Sequence, residues 1–177
     1  MLYDGKMRIA VISDTHLERP TPWFEAFYET ELAAMDLLLH CGDYAAPAMY
    51  HYLLQHPGFH GVLGNSDPWP MHDELPWRTT VQAGELAIGL AHGHAELGGD
   101  PARVVAAFGG EVQVVCFGHT HRFLSMELGD VLVVNPGSLC ASRAGRRSYA
   151  VLTKTGRRIH VDERRLPGDC WGDAVAG

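Results

Sequence analysis

Apolar runs, each closed by a short polar block, set the plan of this chain. Met7–Ser13 is apolar at nearly every position, which suits a strand covered on both faces, and Asp14 stands just past its end. Thr21-Pro22 reads as an N-cap followed by a first-turn proline, and Trp23, Phe24, Phe27, Tyr28 and Leu32 recur at helical spacing to about Ala34. Asp36–His40 is a second buried strand, followed by Gly42-Asp43. Ala46–His56 predicts a short helix with Met49, Tyr52 and Leu53 on one side, and Phe59–Leu63 a third strand ending at Gly64-Asn65. Strand, helix, strand, helix, strand, each strand closed by a polar block, predicts a parallel sheet that presents those blocks along one edge.

Ser66–Pro76, rich in proline, reads as irregular. Arg78–Gln82 and Glu85–Ala91 form a hairpin turning at Ala83-Gly84, and His92 follows the second arm. Asp100-Pro101 opens a helix that Gly109-Gly110 stops. Val112–Phe117 is another buried strand, leading to Gly118-His119. Phe123–Leu128 and Val131–Asn135 flank Gly129-Asp130, a two-residue hairpin signal. Ser148–Thr153 and Arg157–Asp162 pair around Thr155-Gly156, and the small, polar tail from Pro167 is expected to fray.

The 177 residues suit one domain over 1–177 with its core at about 7–162. No stretch has the length of a membrane span, and the first residues lack a basic-then-apolar pattern, so a cytoplasmic location without membrane attachment is expected. The net charge of −7 is uneven: residues 1–142 carry −11 and residues 143–177 carry +4. The basic end reads as a solvated hairpin face, and the overall acidity argues against a nucleic-acid partner. Cys41, Cys116, Cys140 and Cys170 form no Cys-x-x-Cys pair and read as reduced, buried side chains.

The polar blocks carry the chemistry. Asp14-Thr15-His16, Gly42-Asp43, Gly64-Asn65, His92-Gly93-His94 and Gly118-His119-Thr120-His121 supply carboxylate, imidazole and amide donors in the mix a two-metal hydrolytic site needs. Two adjacent divalent cations need a carboxylate between them, and Asp43 is the natural bridge. Asp14, His16 and one late histidine complete one shell; Asn65, His92 and the other late histidine complete the second. Two divalent ions against Asp14 and Asp43 leave about +2, a sign that attracts phosphate. Mixed nitrogen and oxygen ligation favours Mn, Fe, Zn, Ni or Co over Ca.

These blocks resemble the calcineurin-like metallophosphoesterase superfamily, and the short chain with Asn135-Pro136-Gly137-Ser138 is similar to its small YfcE-type phosphodiesterases. The resemblance spans roughly residues 7–162. It implies an α/β fold, a four-layer α/β/β/α sandwich of two mixed β-sheets flanked by helices. It implies two divalent ions, manganese foremost, one on Asp14, His16, Asp43 and His121 and the other on Asp43, Asn65, His92 and His119. It implies a phosphodiesterase acting on a small phosphate ester through a hydroxide shared by the two ions, with Asp43 and Asn65 in the catalytic set. Relatives form dimers and larger assemblies, so a homo-oligomer is compatible with it. Where many relatives carry a histidine after the asparagine, this chain has Ser66, a poor proton donor at neutral pH. That favours good leaving groups, or protonation by Asp67, His94 or water.

Two other readings share the fold. One is a non-catalytic protein-interaction module, as in a retromer subunit with altered ligand positions; the intact ligand set weighs against it. The other is a phosphomonoesterase or protein phosphatase, disfavoured by Ser66 and the short chain. Asp67 is expected to orient Asn65 or a neighbouring histidine, and His94 to contact phosphate, relay a proton or bond to backbone. His40 is read as hydrogen-bonded beside the site rather than a ligand. His51, His56, His60, His72 and His160 are read as surface or packing residues. Trp69 and Trp77 are expected to plug the sandwich edge, with stacking on an aromatic substrate as the alternative. Asn135-Pro136-Gly137-Ser138 reads as a turn that buttresses the metal edge, and Arg143, Arg146 and Arg147 as a solvated loop.

Overall fold

Strand alternation sorts the first apolar run into two layers. In β1 (Lys6–Ile12), Ile9 and Val11 point one way and Ala10 and Ile12 the other, all fully buried. The structure is a computed structural model that describes residues 5–140, 146–168 and 170. Arg143 and most of the tail expected to fray lie outside the described residues.

β1 pairs in parallel with β2 (Leu37–His40), which pairs in parallel with β3 (Phe59–Gly61). On its other side β1 meets β9 (Arg147–Thr155) antiparallel, and β10 (Arg158–Leu166) closes that edge. The second sheet runs β4 (Arg78–Ala83), β5 (Leu86–Ala91), β6 (Val114–Phe117), β8 (Val131–Pro136) and β7 (Phe123–Leu128). Within it β5, β6 and β8 are parallel and the outer strands antiparallel.

Three apolar clusters define the layers. Ile9, Val11, Leu39, Ile88, Leu90, Val114, Cys116 and Leu152 fill the space between the sheets. Ala10, Ile12 and Leu38 face α1 (Pro22–Phe27) and α2 (Pro47–Leu53) through Phe24, Phe27, Met49 and Leu53. Val115, Phe117 and Val133 face α3 (Pro101–Ala106) through Val104. The result is the expected four-layer α/β/β/α sandwich of two mixed sheets.

The helix caps follow the sequence. Thr21 accepts a hydrogen bond from the Phe24 amide at 3.2 Å, and Asp100 accepts from Ala102 and Arg103 at 2.8 and 3.1 Å. The first helix differs from expectation beyond Phe27. It widens into a π-turn over Tyr28–Leu32, where the Ala33 amide reaches back to Tyr28. Thr30 donates its hydroxyl to the Ala26 carbonyl at 2.9 Å, and such back-bonding loosens a helix there. The first hairpin turns at Gly84-Glu85, since Ala83 pairs with Leu86.

Ser66–Pro76 is not wholly irregular: Trp69–Asp73 makes a 3₁₀ turn. That turn points Met71 into the core, with Leu75 following, and leaves Trp69 and Trp77 exposed. The expected tryptophan plug is therefore wrong; the slimmer Met71 and Leu75 fill that edge. Arg147 likewise does not lie in a solvated loop. It is buried, donates to the carbonyls of Leu139 and Pro167, and lies over the Trp23 ring at 4.1 Å. All four cysteines are buried and none forms a disulfide, and burial pushes the Cys116 thiol up to about 12. No described helix is long and apolar enough to cross a membrane.

Candidate metal centre

The loops after β1, β2, β3, β5 and β6 meet at one edge of the sandwich. Backbone hydrogen bonds lace them together: Asp14 to Gly42, His16 to Asp43, and Gly118 to His92. Asp14, His16, Asp43, His119 and His121 all have left-handed backbone conformations, with φ of 53°, 49°, 62°, 67° and 58°. Residues other than glycine seldom adopt that region, and although Asp and His tolerate it better than most, the conformations still cost energy that the surrounding bonds must offset.

Asp14, His16, Asp43 and His121 bring one ligand atom each within 4.8 Å of one another. His121 Nε2 lies 3.0 Å from Asp14 Oδ1, and His16 Nε2 lies 3.8 Å from it. Asp43 Oδ2 sits between this group and a second one. It is 3.6 Å from His16 Nε2 and 3.4 Å from His92 Nε2, while Asn65 Oδ1 is 3.1 Å from His92 Nε2. The His119 ring lies 5.2 Å from that of His92. All seven side chains expected as ligands thus converge on one rim.

The donor set fits a cation. Asp14 Oδ1 and His16 Nε2 are buried without a hydrogen-bond partner, a costly state unless something else binds them. His92 donates Nδ1–H to the Cys41 carbonyl at 2.7 Å, so the neutral ring turns the Nε2 lone pair toward two oxygen acceptors. Three acceptor atoms facing one another call for a proton or a metal ion between them. The carboxylates and imidazoles also shift one another's titration. Burial disfavours the charged form of Asp14, yet His121 and His16 outweigh it and hold the carboxyl well below the usual range. Burial also opposes a charge on His92, but Asp43 and Asp14 overcome it and raise its pKa.

A supporting layer fixes these groups. Ser13 donates to Asp14 Oδ2 at 2.6 Å, as does the His119 amide at 3.1 Å, and the Ser138 hydroxyl holds the Asp14 carbonyl at 2.9 Å. Asn135 donates to the Gly118 carbonyl and to Thr120, and accepts from the Gly137 amide. Gly137 has φ of 80°, and a Cβ there would run into Ser148. The buttressing turn read from the sequence is present.

Ser66 donates its amide and its hydroxyl to Asp43, at 2.8 and 3.0 Å. This role went unread in the sequence, which marked Ser66 only as a missing histidine. Asp67 also departs from expectation. Its carboxylate accepts four backbone amides, from Asp43, Tyr44, Ala45 and Gly64, rather than orienting Asn65 or a histidine. The chain reverses between Gly64 and Asp67, and this turns the carboxylate under the Asp43 loop.

His40 is buried and stacks on Tyr44. Its Nδ1 accepts the Gly42 amide and Nε2 donates to Thr15 at 2.6 Å. Burial pulls its pKa down to about 3, so the ring is neutral. His94 is half-buried at the rim, its ring 5.3 Å from His92, and burial with the nearby His92 lowers its pKa. His56 is tied to the Met35 carbonyl, and His51 and His160 pair with Glu74 and Asp162.

Close approach makes Gly118 a sharp test of the centre. A Cβ there would overlap Ser13 Oγ and come within 2.8 Å of Asp14 Oδ2. Gly118→Ala is expected to keep the fold and weaken Mn²⁺ affinity by about 10- to 100-fold, the range for disturbed supports of metal ligands. Calorimetric titration beside circular dichroism checks it; unchanged affinity would contradict the packing described.

Carboxylates, imidazoles and an amide pooled from two sheet edges around Asp43 make a candidate metal site. The chain belongs to the calcineurin-like phosphoesterase superfamily, whose domain model matches residues 7–157. It is 31% identical over 152 residues to a probable metallophosphoesterase of Methanocaldococcus jannaschii, covering 84% of this chain and 77% of that protein. It is 26% identical over 160 residues to a phosphodiesterase of the same archaeon, covering 82% and 92%. Among solved structures, vacuolar protein sorting 29 from Cryptosporidium parvum superposes with a TM-score of 0.71. That match covers 93% of this chain and 100% of that one at 19% identity, a likeness of fold alone.

Proposed function

We propose that this chain is a phosphodiesterase that works with two divalent metal ions, manganese foremost. The observation that carries the reading is the position of Asp43 Oδ2, within 3.6 Å of His16 and 3.4 Å of His92, between the two ligand groups. Asp14, His16, Asp43 and His121 would hold one ion, and Asp43, Asn65, His92 and His119 the other. Such ions supply Lewis acidity, drawing charge from phosphoryl oxygens and making water a stronger nucleophile near neutral pH.

The chain's own groups do the rest. Ser66 locks both oxygens of Asp43, and Asp67 holds the backbone on either side of it. Asn65, exposed at the rim, offers its amide to a phosphoryl oxygen. His94 carries a neutral ring at neutral pH and so suits an N–H hydrogen bond to phosphate better than proton transfer. With the Ser66 hydroxyl committed to Asp43, that position supplies no acid, and esters with low-pKa leaving groups are favoured. The relative named a phosphodiesterase supports the choice of diester.

Hydrolysis of bis(p-nitrophenyl) phosphate against p-nitrophenyl phosphate, run with Mn²⁺, Fe²⁺, Co²⁺, Ni²⁺ and Zn²⁺, tests the reading. The diester is expected to be cleaved at least about 10-fold faster, a gap of about 1.4 kcal/mol in barrier. A faster monoester makes the chain a phosphomonoesterase. Tight metal binding with no hydrolysis of either ester would favour an interaction module, the use of the fold suggested by its likeness to vacuolar protein sorting 29.

A further inference from the structure

A row of aromatic rings leads away from the metal centre and has no part in holding it. His94 lies 5.3 Å from His92 and 6.3 Å from His119 between ring centres. Trp77 lies 5.2 Å from His94, His72 lies 5.1 Å from Trp77, and Trp69 lies 4.8 Å from His72. The row runs unbroken from the candidate ligands into solvent, where Trp77 is 53% and Trp69 77% exposed.

The segment that carries these rings is firmly seated. Met71 and Leu75 are buried in the core, and the Leu63 amide donates to the Pro76 carbonyl at 2.9 Å. The two largest apolar side chains of the segment therefore face water while smaller ones fill the interior. Core packing alone favours the opposite arrangement, so the exposed rings call for a contact from outside.

Charge narrows what that contact is. From Ser66 to Arg78 the chain carries Asp67, Asp73 and Glu74 and a single cation, the exposed Arg78 that follows Trp77. A groove for a polynucleotide tracks the phosphates with cations. This row, with one cation beside it, instead offers flat aromatic faces next to a single candidate metal centre.

We propose, resting on the phosphodiesterase reading, that Trp77, backed by His72 and Trp69, is a stacking subsite for the base of a nucleotide-sized phosphodiester whose phosphate occupies the metal centre. Every base has a π-face, so the subsite selects for the presence of a base more than for its identity.

Two esters with the same leaving group test this in the Mn²⁺-loaded protein: the p-nitrophenyl ester of thymidine 5′-phosphate and methyl p-nitrophenyl phosphate. The wild type is expected to favour the nucleoside ester by about 10-fold or more in kcat/KM, chiefly through KM. Trp77→Ala is expected to bring that ratio to within about 2-fold of one, and Trp69→Ala to lower it less. A ratio unchanged in both variants overturns the subsite and leaves the phosphodiesterase reading standing. If the wild type cleaves neither ester, that reading fails, and tryptophan fluorescence decides the subsite alone. Saturable quenching by thymidine 5′-monophosphate but not by ribose 5-phosphate, lost in Trp77→Ala, supports it; equal quenching by both, or none, overturns it.

Discussion

Asp43→Asn is expected to leave a folded protein that holds at most one of the two proposed metal ions. It is also expected to cleave bis(p-nitrophenyl) phosphate at least about 1000-fold more slowly, equivalent to about 4 kcal/mol of lost transition-state stabilisation. Asp43 Oδ2 faces His16 Nε2 and His92 Nε2 from opposite groups, so it is the atom both ions would share. An amide keeps one oxygen and no charge. Its NH₂ must also face either the Ser66 amide or the Ser66 hydroxyl, both of which now donate to the carboxylate. The fold survives because the loop is gripped through its backbone, by Asp67, and not through the Asp43 side chain. Metal per chain by elemental analysis, read with the rate, checks both halves. Full turnover by a metal-poor variant would contradict the mechanism.

Asp67→Ala is expected to have the largest effect on stability, about 4 kcal/mol, lowering Tm by roughly 10 °C for a chain of this size. The carboxylate is buried and accepts Gly64 and Tyr44 at 2.7 Å, and Asp43 and Ala45 at 3.1 Å. Removing it leaves four backbone donors to find water or go unpaired. Two of the residues it holds, Asp43 and Ala45, have φ of 62° and 82°, conformations that relax once the clamp is gone. Asp67→Asn keeps one acceptor oxygen and should fall between the two. Scanning calorimetry in excess chelator isolates this term from metal binding. A shift of a degree or two would show that the clamp contributes little.

The residues of the candidate metal centre were legible because each closes an apolar run that reads as a buried strand. Position and chemistry then agreed, block by block, from Asp14 to His121. The layers were legible for the same reason: nearly unbroken apolar strands such as Val114–Phe117 need cover on both faces. What stayed hidden depended on contacts between distant segments. Asp67 looked like a partner for its neighbour Asn65, because sequence shows adjacency and not the turn that swings it under Gly42-Asp43. Trp69 and Trp77 looked like core because large apolar side chains usually are, and nothing local revealed that Met71 takes that space. Arg147 looked solvated among arginines, yet two carbonyls and the Trp23 ring draw it inside. Ser66 read as an absence, since its donation to Asp43 appears only once both loops are folded.

A supporting shell of small residues explains why the centre tolerates five left-handed backbones. Gly42, Gly64 and Gly118 let loops approach so closely that a Cβ at any of them would strike a neighbouring loop. The ligands can then project inward from short connections, each held by a serine, an asparagine or an aspartate rather than by bulk. Rigidity of this kind keeps ligand geometry fixed before a metal arrives, which lowers the cost of binding it.

The most direct measurement is a structure of the protein loaded with Mn²⁺, with metal positions read from anomalous scattering. Two ions about 3.5–4 Å apart, with Asp43 shared between them, are expected at the rim. Asp14, His16 and His121 should lie on one side, with Asn65, His92 and His119 on the other. Metal bound elsewhere, or none at these seven side chains in a protein saturated with Mn²⁺, would contradict the account.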